Sequence, residues 1–135
     1  MGGRLPWFYN GVLNGDSKYS YFIHTVYENN SPRSELFDLF KGILTQLDAK
    51  AVVRIKCNLY PKTSLVEQHP THFDQDYPLK GAVFYVNSND GFTVIGKDKI
   101  ESVENRILLF DSSILHSSTS CTNQNARFTI NFNYF

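Results

Sequence analysis

The chain has 135 residues, with 13 lysines and arginines balanced by 13 aspartates and glutamates, and 41% of it is hydrophobic and 15% aromatic. That length suits one domain able to bury about two-thirds of its unfolded surface, and the balanced charge excludes the general positive field that gathers nucleic acid or anionic membrane. No apolar run approaches the ~20 residues that span a bilayer, and Met1-Gly2-Gly3-Arg4-Leu5-Pro6 lacks a signal-peptide core, so the sequence reads as a soluble cytoplasmic protein, monomeric or weakly dimeric, with no stable nucleic-acid partner.

In chain order, Trp7-Phe8-Tyr9 and Tyr19 to Tyr27 are aromatic-rich, with turn signals at Asn10-Gly11 and Asn14-Gly15-Asp16. Tyr19, Tyr21, Ile23 and Val26 suggest an early strand. His24 within it has no ligand-like partner at matching spacing and is read as a core or edge histidine. Ser31-Pro32 offers an N-cap followed by proline, and Leu36, Leu39, Phe40, Ile43, Leu44 and Leu47 recur at helical spacing, which predicts an amphipathic helix over 32–47. The period then becomes two. Val53, Ile55, Cys57 and Leu59 share one face of a strand expected to pack on the helix, and Arg54, Lys56, Asn58 and Tyr60 share the other. Cys57 and Cys121 are too few for a disulfide scaffold, and Cys57 is a small buried hydrophobe.

Next comes His69-Pro70-Thr71-His72-Phe73-Asp74. In extended chain, residues two apart point the same way, so His72 and Asp74 can hold one metal ion from one side. Gln75-Asp76-Tyr77-Pro78 is a loop; 81–87 and 92–95 are strands joined by an Asn/Asp/Gly turn; Lys97 to Asn105 is a charged connector; and 106–110 is a buried strand. Ser112 to Ser118 carries His116, Ser120 to Asn125 is a polar loop, and Arg127 to Phe135 alternates cleanly, with Phe128, Ile130, Phe132 and Tyr134 opposite Arg127, Thr129, Asn131 and Asn133. Many short strands and one leading helix suggest a β-barrel or sandwich. Two histidines, a carboxylate and a distant arginine are the components of a non-haem Fe(II) site that takes a dicarboxylate co-substrate. His69 is read as a loop histidine and Arg106 as a structural anchor, while Arg54 and Lys56 fit either a solvated edge or a substrate-facing mouth.

Taken together, Asn58-Leu59-Tyr60-Pro61, His72-Phe73-Asp74, Ala82 to Asn87, Asp90-Gly91-Phe92-Thr93, Asn105 to Phe110, His116 and Arg127 to Phe132 resemble, in order, the 2-oxoglutarate- and Fe(II)-dependent oxygenases of the prolyl 4-hydroxylase branch. The likeness runs from about residue 51 onward and, less specifically, from Leu5-Pro6-Trp7 to small phage-encoded members. It implies a mainly β, double-stranded β-helix (jelly-roll) domain over 1–135, with an N-terminal supporting helix. It also implies His72, Asp74 and His116 as metal ligands and catalytic centre, Arg127 as partner of the far carboxylate of 2-oxoglutarate, and Tyr60 and Tyr85 as hydrogen-bond donors to that co-substrate; Thr129 and Asn131, on the same strand face as Arg127, are then expected to line its wall. Fe(II), 2-oxoglutarate, O₂ and ascorbate are the implied cofactors. Two departures stand out: an eleven-residue interval from His116 to Arg127, and Asp90-Gly91 where relatives carry a Gly-Gly or Gly-Glu pattern.

The implied reaction hydroxylates a substrate C–H, first of all a peptidyl proline. A nucleic-acid base or free metabolite as substrate, or a non-catalytic jelly-roll binding module, are the alternatives. Strand alternation sets Asn58 beside Arg54 and Lys56, and the loop from Gln75 to Pro78 is expected to overhang the metal, which makes Asn58, Asp76 and Tyr77 the candidate substrate contacts.

Overall fold

The computed structural model describes residues 5–11 and 18–135; the Asn14-Gly15-Asp16 turn signal lies outside them. Two antiparallel sheets form the molecule. The larger contains β1 (Phe8–Asn10), β2 (Tyr21–Glu28), β4 (Val52–Pro61), β10 (Ala126–Tyr134), β5 (Lys80–Tyr85) and β8 (Ile107–Asp111) in that spatial order, with β3 (Ser31–Pro32) paired to β2. The smaller has the order β7 (Asp98–Glu101), β6 (Phe92–Ile95), β9 (His116–Ser117). A cavity lies between them, lined by Thr129 and Asn131 from the large sheet and Thr93 and Ser117 from the small one. This is the jelly-roll arrangement that the family resemblance implied.

The outer face of the large sheet carries the apolar core. Ile55, Cys57, Ile130, Phe132 and Tyr134 are buried there with Phe40 and Leu44 of α1 (Phe37–Gln46), and the Phe40 and Phe132 rings meet edge to face at 5.7 Å. β10 lies between β4 and β5, and its register against β4 stacks four inward-facing pairs: Arg127 with Tyr60, Thr129 with Asn58, Asn131 with Lys56, and Asn133 with Arg54. Cys57 and Cys121 are both buried free thiols.

Four expectations are corrected. The helix begins at Phe37, not Pro32. Asn29 and Asn30 adopt positive φ (52° and 58°) and close a two-residue hairpin that pairs Glu28 with Ser31 and Tyr27 with Pro32, a turn in which asparagine is favoured at left-handed positions. Ser34, whose hydroxyl accepts the Leu36 N–H at 3.2 Å, then leads into the helix. The charged connector contains a strand, β7, because Asp98 to Glu101 completes its ladder with β6 even though only Ile100 is half-buried. The strand read as buried, β8, pairs among the described residues only with β5 and lies at the sheet edge, leaving Ile107 and Leu109 exposed. Finally, Asp76 and Tyr77 are exposed, and no residue from Gln75 to Pro78 lines the cavity; the Tyr77 ring instead stacks on Phe135 with centroids 6.2 Å apart. Among the described residues no helix is long and apolar enough to cross a membrane.

Candidate functional site

His72 and Asp74 sit in a loop that borrows strand geometry. His72 forms an isolated bridge with His116, its N–H donating to the His116 carbonyl at 2.9 Å and its carbonyl accepting the His116 N–H at 2.8 Å, while the Asp74 N–H donates to the Ser112 carbonyl at 3.0 Å. The loop is thus a makeshift fourth strand beside β9, and the two imidazoles come to 4.6 Å between centroids. The ligand atoms of His72, Asp74 and His116 all lie within 4.8 Å of one another, with Asp74 Oδ1 3.6 Å from each histidine Nε2.

The surroundings orient each donor toward the shared point. His116 Nδ1 lies 2.7 Å from the Ile114 carbonyl and His72 Nδ1 3.3 Å from that of Pro70. A carbonyl only accepts, so each ring carries its proton on Nδ1 and turns an Nε2 lone pair toward Asp74. The buried His116 Nε2 has no hydrogen-bond partner. Asn133 Nδ2 donates to Asp74 Oδ2 and to the Ser112 hydroxyl, both at 2.9 Å, which leaves Oδ1 facing the rings. Burial works against charge on Asp74, and His116 and His72, when protonated at Nε2 as well and so not ligating a metal, join the Asn133 amide in outweighing it and hold the carboxyl well below the usual range. Two imidazole lone pairs and one carboxylate on one side of a point, with a buried nitrogen left orphaned, fit a divalent metal that keeps its other positions open.

At the far end of the inward face, Arg127 is fully buried. Its Nε donates to Ser102 Oγ at 2.8 Å, its Nη1 to the Ser118 hydroxyl and to the Thr119 carbonyl, and its Nη2 to Thr93 Oγ1 at 3.0 Å. The guanidinium lies over the Tyr60 and Tyr85 rings at 5.4 and 5.7 Å. Every one of these partners is neutral, and among the described residues no carboxylate pairs with it. Its stem passes so close to Gly91 that a Cβ there would come within 2.6 Å of Arg127 Cδ and 2.5 Å of the Ser120 carbonyl. Gly91, the glycine kept in the Asp90-Gly91 pair, therefore supplies clearance for the arginine.

The cavity of about 180 Å³ opens onto the metal-ligand cluster; Arg127 does not line it but lies behind its wall, bonded to Thr93 and Ser118, which do. Its lining includes the three metal-ligand candidates with Tyr60, Thr129 and Asn131, and on the β4 side Arg54 and Lys56, which resolves their orientation as inward. Tyr85 does not line it: the hydroxyl donates to Thr93 Oγ1 at 2.8 Å, behind the wall. Asn58 is fully buried, donates to Thr129 Oγ1 at 3.2 Å, and likewise does not line the cavity. Burial raises the hydroxyl pKa of both Tyr60 and Tyr85, so each stays a neutral hydrogen-bonding group.

His69, read as a loop histidine, is a buried wall residue. It is 6% exposed, its ring lies against Tyr60 and Tyr19 at 5.2 and 5.3 Å, and Nδ1 has no partner. Burial, followed by the charges of Arg127 and His72, pushes its pKa down to about 4. No local sequence signal distinguishes it from a solvated loop residue. His24 is the structural histidine expected, buried and hydrogen-bonded to the Pro6 carbonyl and Ser34 hydroxyl at 2.8 and 2.7 Å, and Arg106 anchors the Glu101 carbonyl at 3.0 Å.

No family model and no curated protein sequence matches the chain. Solved structures do. A 2OG-Fe(II) oxygenase family oxidoreductase from Burkholderia pseudomallei aligns over 97% of this chain and 73% of its own, with TM-score 0.70 and 15% identity. A Pseudomonas putida prolyl-4-hydroxylase aligns over 84% and 68%, with TM-score 0.62 and 16% identity. A Trichoplax adhaerens prolyl hydroxylase, solved with a hypoxia inducible factor peptide fragment, aligns over 93% and 69%, with TM-score 0.63 and 16% identity. At such identities the likeness is one of fold, and the fold is that of the prolyl-hydroxylase-like 2OG-Fe(II) oxygenases.

Proposed function

We propose that the protein is an Fe(II)- and 2-oxoglutarate-dependent hydroxylase in which His72, Asp74 and His116 hold the metal and Arg127 receives the distal carboxylate of 2-oxoglutarate. The observation that carries this reading is one cavity that holds a three-ligand cluster with an orphaned His116 Nε2 and is walled by Thr93 and Ser118, the hydroxyls that accept from a fully buried guanidinium with only neutral partners. A buried charge without a counterion is costly unless a ligand supplies one.

The bound metal and co-substrate supply O₂ chemistry in which 2-oxoglutarate, O₂ and a substrate C–H become succinate, CO₂ and an alcohol. The protein's part is binding and orientation. Asn133 fixes the Asp74 carboxylate by one oxygen, and the Ile114 and Pro70 carbonyls fix the tautomers of the two histidines. A carboxylate arriving between Thr93 and Ser118 takes over the guanidinium donors that those hydroxyls now accept, which gives a charge-assisted fork. Tyr60, Thr129 and Asn131 line the path between the two ends. Tyr85 acts through Thr93, positioning its hydroxyl against Arg127. Peptidyl proline is the first substrate class to test, since a neighbouring fold was solved with a peptide.

The decisive experiment is anaerobic titration with Fe(II) and 2-oxoglutarate, followed by oxygen in the presence of prolyl peptides, oligonucleotides or amino acids. Expected are stoichiometric metal binding, succinate formation, and a substrate heavier by one oxygen atom. Metal binding that survives loss of both His116 and Asp74 rejects the assignment.

A further inference from the structure

The proposed cofactor reading, on which this inference rests, leaves two cations on the cavity wall without a task. Lys56 and Arg54 face Asn131 and Asn133 in adjacent inward pairs of the β4–β10 ladder, and both line the cavity that holds the metal-ligand cluster. Arg54 Nη2 lies 3.4 Å from Asp74 Oδ1, and its Nε donates to Asn133 Oδ1 at 3.3 Å. Lys56 Nζ donates to the Tyr21 hydroxyl at 3.3 Å and lies 5.6 Å from the centre of that ring. Among the described residues no carboxylate pairs with Lys56. Burial, then the charge of Arg54, pushes its pKa down to about 8. The Tyr21 hydroxyl, kept protonated by burial, orients the ammonium without neutralising it.

Among the described residues, Asp74 is the only carboxylate on the cavity lining. With Asp74 and the near end of 2-oxoglutarate taken up by the metal, and the far end by Arg127, the charges of Lys56 and Arg54 remain unopposed beside the reacting centre. Desolvated cations in that position favour an anion.

We propose that Lys56, assisted by Arg54, is a specificity-determining residue that anchors a carboxylate of the substrate next to the C–H to be hydroxylated. The carboxylate belongs either to an acidic side chain in a peptide or to the substrate's own terminus, and the anchor is the same chemistry in both cases.

The test uses the whole protein saturated anaerobically with Fe(II) and 2-oxoglutarate, whose binding is read from the visible charge-transfer absorption of the complex. Four probes are then titrated against that absorption: L-proline, L-prolinamide, a short peptide with aspartate next to proline, and its asparagine counterpart. At least one acid is expected to bind about tenfold or more tightly than its amide; the pair that discriminates tells whether the carboxylate is terminal or from a side chain. Lys56→Met should erase the preference and Lys56→Arg should retain most of it. The co-substrate dissociation constant, which also reports a folded site, should move far less than the acid's in Lys56→Met. Equal binding of acid and amide in both pairs, no acid binding up to ~10 mM, or a loss of 2-oxoglutarate affinity in Lys56→Met as large as the loss for the acid each overturns the assignment. Absence of the charge-transfer absorption in the wild type tells against the cofactor reading itself and removes this proposal with it, whereas normal absorption without acid preference overturns Lys56 alone.

Discussion

β4 and β10 show two faces built on one pair of backbones. The outer face buries Ile55, Cys57, Ile130 and Phe132 against α1; the inner face buries Asn58, Tyr60, Arg127, Thr129 and Asn133 just as deeply. The outer residues make no directional demand and gain by leaving water, at about 25 cal/mol per Å² of apolar surface. The inner residues are only partly matched: Asn58 Oδ1 lacks a partner and Arg127 has no countercharge, and the neighbouring His69 Nδ1 and His116 Nε2, from a loop and β9, are unpartnered as well. Buried polar groups are nearly always paired in folded proteins, so unmet demand concentrated on one face marks where a ligand is expected, while the other face supplies the stability that holds it open.

The largest expected effect tests the outer face. Phe132→Ala should lower stability by about 3–5 kcal/mol in urea unfolding. Its inner-face counterpart, Arg127→Met, should change ligand-free stability by only about 1 kcal/mol, because lost hydrogen bonds offset removal of an unpaired buried charge, yet weaken 2-oxoglutarate binding by about 3 kcal/mol or more. Equal destabilisation by the two substitutions would erase the contrast between the faces.

Metal should reverse the inner face's deficit. Fe(II), or Co(II) as an air-stable substitute, at a hundredfold excess over its dissociation constant should stabilise the protein by about 2.7 kcal/mol, seen as a rise in Tm. His116→Ala and Asp74→Ala should show no such rise, and an unchanged response in both would remove the cluster from consideration.

A smaller effect concerns His69. Its pKa in the fold is about 4 against an ordinary 6.5, so between those values the unfolded chain holds the extra proton. Stability contributed by the neutral ring is complete above pH 6.5 and is lost as pH falls toward 4, at up to about 1.4 kcal/mol per pH unit. Stability profiles of the wild type and His69→Phe should therefore diverge over that window, and parallel curves would mean that burial does not perturb His69. The smallest effect is expected at the edge: Leu109 is 59% exposed, and Leu109→Thr should change stability by less than about 0.5 kcal/mol.

The two faces were also unequally legible. Alternation in 51–60 and 127–135 identifies both sides of the central ladder, because period two is a local property of the chain. The His72-x-Asp74 spacing points to the cluster for the same reason, although the segment is a loop with one bridge to His116. What the sequence hides depends on distant partners. Asp98 to Glu101 is too charged to read as a strand until β6 pairs with it. Ile107 to Phe110 looks buried in sequence, yet among the described residues no strand covers its outer edge. The helix start is obscured because Ser31-Pro32 imitates an N-cap, while Asn29-Asn30 fixes a hairpin first. His69 becomes a wall residue only when Tyr19 and Tyr60, far apart in sequence, close around it.

The position of β10 between β4 and β5 has a consequence for the order of folding. β1 to β4 form one block of neighbouring strands, and β5 and β8 form another, each from sequence that precedes β10. During synthesis both blocks present an unpaired edge until the last strand emerges to join them, and open edges of this kind are templates for pairing with other chains. The same arrival completes the apolar core, brings Thr129 and Asn131 to the cavity wall and sets Arg127 behind it, so acquisition of the ligand site and closure of the sheet are a single late event, of the slow, non-local type.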